Sequence, residues 1–135
     1  MTQEAVAKET LRYVRLESGG WVGQIGHVRV YVSDEEGAPS RAQAAVAAMV
    51  ARALPALREA ASAYLDTFVD RRKACGSAQE PWWLDEIDVR DRAGKERISC
   101  ALLFTLHGDD GGLWTVDMQE SVEGHRPFRF ERRQG

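Results

Sequence analysis

Cysteine is scarce in this 135-residue chain: Cys75 and Cys100 are the only two, far apart and in different kinds of segment. A disulfide scaffold needs more, and no CxxC spacing offers a thiolate metal site or redox pair. Two reduced thiols in a cytoplasmic protein are expected. Long apolar runs are missing too, none approaching the roughly 20 residues that span a bilayer. The opening Met1-Thr2-Gln3-Glu4-Ala5-Val6 lacks the basic region and apolar core of a secretory signal. Neither charge sign dominates. A net charge of −3 gives no electrostatic reason to expect binding to nucleic acid or an anionic membrane. Phosphate-binding loops are absent, because Gly19-Gly20 and Gly111-Gly112 lack GxGxxG or GK[ST] context and no helix follows either. There is no G-x-S-x-G nucleophile elbow. No cofactor is implied.

What is present is ordinary globular composition, 44% hydrophobic and 29% charged, at a length that suits one domain over 1–135. Fifteen arginines against three lysines suggest a GC-rich bacterial genome. Residues 1–10 read as a loose lead-in. Strand patterns follow around Tyr13–Leu16 and Trp21–Ile25, with Ser18-Gly19-Gly20 as a turn between them. His27–Ser33 alternates, with Val28, Val30 and Val32 on one face and His27, Arg29 and Tyr31 on the other. Asp34-Glu35-Glu36-Gly37 reads as an acidic turn.

Ser40 with Gln43 has the form of a capping box. Val46, Met49, Val50, Ala53, Leu54, Leu57, Ala61, Tyr64, Leu65 and Phe68 then form one apolar stripe at helical spacing. Pro55 interrupts it, which predicts two helices or one sharply kinked. Arg71, Arg72 and Lys73 suit a helix C-terminus, and Gly76 is its expected cap.

After a linker to Pro81, four strand patterns follow. Trp82–Val89 changes phase between Leu84 and Ile87, which predicts a bulge. Asp91–Lys95 reads as a hairpin turn. Ile98–Leu106 is the strongest strand, and Ala101 with Leu103 on its second face predicts a central place. Trp114–Met118 and Phe128–Glu131 complete the pattern. Strands, helices, then strands predict an α+β fold: an antiparallel sheet of N-terminal strands and a C-terminal four-strand meander, with a two-helix or kinked-helix layer on one face.

His107, Asp109 and Asp110 share a hairpin turn, with His125 at the next one. The alternative function they suggest is a small metal-assisted hydrolase built on the His107, Asp109 and Asp110 turn, with His125 as a further ligand. The plainer reading is a solvated turn, since Gly and Asp are what tight turns require. No catalytic or metal-ligating set is assigned. Cys100 reads as core and Cys75 as the more exposed thiol. The acidic Asp85, Glu86, Asp88 and Asp91 and the basic Arg126, Arg129, Arg132 and Arg133 are expected to form cross-strand ion pairs if their strands are neighbours. Trp82 and Trp83 are adjacent on a strand, so one enters the core and the other faces outward, where tryptophan is enriched at binding hot spots. The candidate binding residues are therefore Trp82, Trp83, Asp85, Glu86 and Arg129.

Four stretches carry a resemblance: Gly20-Trp21-Val22-Gly23, Pro39-Ser40-Arg41-Ala42-Gln43, the strand from Trp82 or Trp83 through Leu84 and Ile87 to Val89, and Phe128-Arg129. In this order the chain resembles a group of small bacterial α+β proteins of unknown function, some associated with toxin and immunity systems. That resemblance implies binding to another protein, as an immunity or accessory module, rather than turnover. A monomer, or a homodimer joined through sheet edges, is compatible with it.

Overall fold

The computed structural model describes residues 11–69, 82–91, 98–121 and 124–134. The lead-in, the expected cap at Gly76, Cys75 and the turn after Asp91 lie outside these. The chain is α+β with a mostly antiparallel sheet. Its elements are β1 (Val14–Arg15), β2 (Trp21–Ile25), β3 (Val28–Val32), β4 (Asp34–Glu35), β5 (Ala38–Pro39), α1 (Arg41–Arg52), α2 (Leu54–Phe68), β6 (Trp82–Asp91), β7 (Ile98–Leu106), β8 (Gly112–Ser121) and β9 (Gly124–Gln134).

Among the described residues seven strands form the main sheet, in the order β1-β2-β3-β6-β7-β8-β9. Every junction is antiparallel except β3–β6, where Val30 pairs with Ile87 in parallel. An all-antiparallel sheet is thus corrected at one place. The reason is the helical crossover: α1 and α2 supply enough chain to bring β6 back beside β3 in the same direction. A separate ribbon, β4–β5, occupies the expected acidic turn. Glu36 at φ 53° and Gly37 at φ 87° give it the two positive-φ residues of a tight hairpin.

Ser40 caps α1, its Oγ accepting from the Gln43 amide at 3.3 Å. The reciprocal half of a capping box is missing. Gln43, buried on the core side, instead accepts from Ser33 N–H at 2.7 Å and donates to Asp91 at 3.1 Å. One amide thereby ties the ends of β3 and β6 to the first turn of α1. Ala53 separates the helices, and Pro55 sits in the first turn of α2, where no helical hydrogen bond is lost. The buried helical positions are Gln43, Ala47, Val50, Leu57, Ala61 and Leu65. Met49 and Phe68, expected on the stripe, are exposed. The helix ends at Phe68, with Val69 already extended, and the basic run Arg71, Arg72 and Lys73 lies outside the described residues.

α1 packs on β3, β6 and β7, and α2 on β9. Between helices and sheet lie Val28, Val30, Val32, Leu84, Ile87, Val89, Leu102, Phe104, Val116 and Met118. The bulge on β6 is at Asp85: Leu84 pairs with Phe104 and Glu86 with Leu103, leaving Asp85 between them. It restores the inward phase for Ile87. Ala101 is buried on the opposite face, between its cross-strand neighbours Asp88 and Asp117. A larger side chain there would lift the polar layer.

Candidate binding surface

The sheet face away from α1 and α2 carries the outward residues of β3, β6, β7, β8 and β9. Register places them in rows. Trp83 pairs with Thr105, and Leu113 with Arg133, at the end nearest the β7–β8 turn; Arg29, Glu86, Leu103, Thr115 and Glu131 form the next row; Tyr31, Asp88, Ala101, Asp117 and Arg129 the third. No described helix covers this face.

Ion pairs lace the second and third rows. Arg29 meets Glu86 at 2.7 Å, Arg90 meets Asp88 at 2.9 Å, and Arg129 meets Asp117. The pairing of the β6 acids with the β9 arginines, expected only if their strands were neighbours, does not arise, since β7 and β8 stand between those strands. The carboxylates of β6 pair instead with β3 or within β6, and the arginines of β9 with β8, with their own strand or with the β7–β8 turn.

The two adjacent tryptophans separate as alternation requires. Trp82 is 8% exposed and Trp83 51%. Trp82 stands edge-on to Trp114 and Phe104 and donates its indole N–H to Asp66 of α2 at 2.9 Å. Trp21 and Trp114 follow the same rule, donating to Asp34 at 2.8 Å and to Asp109 at 2.7 Å. Trp83 alone among the four has no such acceptor among the described residues. His27, from the β2–β3 turn, stacks on its ring at 4.3 Å and 24°, and donates from Nε2 to the Leu84 carbonyl at 3.0 Å. One face of the indole is covered from the β3 side. On the β7 side lies an open cleft of about 640 Å³, lined by Trp83 with Thr105 and Leu113 and by the turn residues His107–Leu113.

That turn is built rather than loose. Asp109 accepts from Trp114 and from both Nε and Nη2 of Arg132, at 2.9 and 2.6 Å, while the Arg132 guanidinium lies over the Trp114 ring. The Arg132 hydrogen bond, with Trp114 assisting, holds the Asp109 carboxyl below its ordinary range. Both Asp109 oxygens are therefore committed to structure. His107 and His125 lie at opposite ends of β8 and do not converge. Among the described residues no three His, Cys, Asp or Glu side chains are grouped to hold a metal ion. Cys100 is sealed in the core, where burial, with the Asp117 charge adding to it, pushes its thiol up to about 12. The described residues thus assemble an aromatic platform beside an open cleft whose lining is mainly apolar. Among these residues no hydrogen-bonded nucleophile–base pair accompanies it.

No protein-family model matches the chain, and no curated protein or solved structure matches it significantly.

Of the residues picked out from sequence, Trp83 lies on the outer face with Glu86 in the next row, paired with Arg29, while Asp85 is the unpaired bulge residue between them and does not line the cleft. Trp82 belongs to the core. Arg129 lies three strands away, held by Asp117. His27, Thr105, Leu113 and Asp110 join the site only through strand order. The one local signal for His27 was its outward phase with Arg29 and Tyr31.

Proposed function

We propose that this chain is a non-catalytic protein-binding module, of the immunity or accessory type found among small bacterial proteins. In this reading the C-terminal four-strand meander carries the two-helix layer on one face and offers the other to a partner, with Trp83 as the anchor. The observation that carries it is the contrast among the four indoles: three are held by aspartates, and the exposed fourth borders a cleft with its N–H free of any described acceptor. A large half-exposed aromatic surface ringed by polar groups is what binding hot spots use. The polar rows around it suit a rim, being ion-paired and solvated rather than apolar.

The test is capture of partners from bacterial lysate by immobilised wild-type protein and by Trp83→Arg, each confirmed folded by near-ultraviolet circular dichroism. A protein retained by wild type and lost from the variant supports the reading. Retention equal for both excludes Trp83 as the anchor.

A further inference from the structure

The charges around the cleft are unevenly satisfied. Arg132, behind the turn, is taken up by Asp109, and Arg133, beside Leu113 on the outer face, by Glu131 at 2.8 Å. Arg29 and Arg129 on the same face are paired with Glu86 and Asp117. On the acidic side two carboxylates have no ion pair among the described residues: Asp110, which lines the cleft, and Asp85, two positions along β6 from Trp83. The Asp110 carbonyl is fixed by Gln134 Nε2 at 3.0 Å, so the turn that carries its side chain is anchored at its backbone. The cleft therefore offers a half-exposed indole, an anchored turn with a spare carboxylate, and no arginine or lysine among its described lining residues.

We propose that the cleft takes an arginine side chain of the partner, its guanidinium lying against Trp83 and hydrogen-bonding to Asp110. This deepens the protein-binding reading and rests on it. Guanidinium is planar, is weakly hydrated for a cation, stacks on indole and pairs with carboxylate in the same plane. The two attractions use different parts of the group and add without competing. An acidic or phosphorylated partner residue would meet Asp110 with like charge, and an aliphatic one would leave the carboxylate desolvated without a partner. The chain's net charge of −3 favours approach of a basic partner in the same direction.

The test is a nitrogen-15 NMR titration of the full chain, following the indole resonance assigned to Trp83 by its loss in Trp83→Phe. The probes are N-acetyl-arginine N-methylamide and the corresponding glutamate and leucine derivatives, with potassium chloride at matched ionic strength. Saturable shifts of the Trp83 indole and of the Gly108–Gly111 amides are expected with the arginine probe alone. In Asp110→Asn, whose substitution lies on an exposed turn and leaves the fold in place, binding should weaken about fivefold, the scale of an exposed cation–π or charge contact. Equal or larger shifts from the leucine or glutamate probe would overturn the cationic assignment while leaving Trp83 as an anchor. No shift at Trp83 from any probe would also overturn it, and partner capture by wild type and Trp83→Arg then judges the docking reading separately.

Discussion

His27 stacks on Trp83 at 4.3 Å, joining the β2–β3 turn to a strand more than fifty residues later in the chain. The contact covers one face of the ring and leaves the other beside the cleft. It sets Trp83 in one orientation without burying it. A rigid amphipathic ring held this way loses little freedom on meeting a partner, which is the condition for an efficient anchor. Trp82 is fixed by the opposite means, through enclosure and a carboxylate.

The two neighbours should therefore differ sharply in stability. Trp82→Ala removes a buried ring and leaves Asp66 without the indole donor, and is expected to cost about 3–5 kcal/mol. Trp83→Ala loses the stack with His27 and the covered half of the ring, and is expected to cost about 1–2 kcal/mol, well below the cost at Trp82. Urea unfolding of both variants checks this; equal losses would place Trp83 in the core.

Gly112 is the second sensitive point. A Cβ there would fall against the Asp109 carboxylate, 2.7 Å from its Cγ, and 2.9 Å from Nη2 of Arg132. Gly112→Ala should split the Asp109–Arg132–Trp114 clamp at a cost of about 1–3 kcal/mol, the range for overpacking. The Trp114 indole resonance should move with it. An unchanged resonance and midpoint would mean the clamp is not rigid.

Gln43 bridges three elements from a buried position. Gln43→Leu keeps the volume but leaves the Ser33 N–H without its acceptor, and should cost roughly 1–3 kcal/mol. Hydrogen exchange at the Ser33 amide should accelerate at the same time. A variant as stable as wild type would show that water replaces the amide at no cost.

Cys100 gives a pH prediction. Its folded thiol is pushed up to about 12 from an ordinary 9.0, so the unfolded chain releases its proton first as pH rises. The folded state is favoured fully below pH 9, and the advantage is lost between 9 and 12, with a slope of about 1.4 kcal/mol per pH unit for one proton. At the acid end the sign reverses. The depressed carboxyl of Asp109 stabilises the fold above 3.8, and that contribution disappears as pH falls through its lowered folded value. Denaturant midpoints across pH, with Cys75→Ser so that Cys100 is the sole thiol, should show the alkaline loss. Thiol reagents should label that variant only on unfolding; rapid labelling of native protein would contradict the burial.

Local features were legible in the sequence. The outward and inward alternation of β3, the bulge near Asp85, the Ser40 cap, the break before Pro55 and the central place of β7 each follow from a few adjacent residues. The α+β class follows from their order. What could not be read was pairing at a distance. Nothing local to His27–Val32 or Trp82–Asp91 says that these strands run parallel side by side, so neither the His27–Trp83 stack nor the Arg29–Glu86 pair was foreseeable. For the same reason it could not be read whether β6 and β9 are neighbours, the condition on which ion pairs between them depended. Gln43 shows a finer case: its side chain suits a capping box, and the nearby strand end at Ser33 outcompetes the helix for it.

The most direct test of the account is a calorimetric titration of a purified captured partner into wild-type protein and Trp83→Ala. One site should weaken by about 30-fold or more in the variant, the scale of a hot-spot truncation near 2 kcal/mol, while the variant stays folded and its melting temperature falls by only a few degrees. Unchanged affinity in a folded Trp83→Ala protein would contradict it.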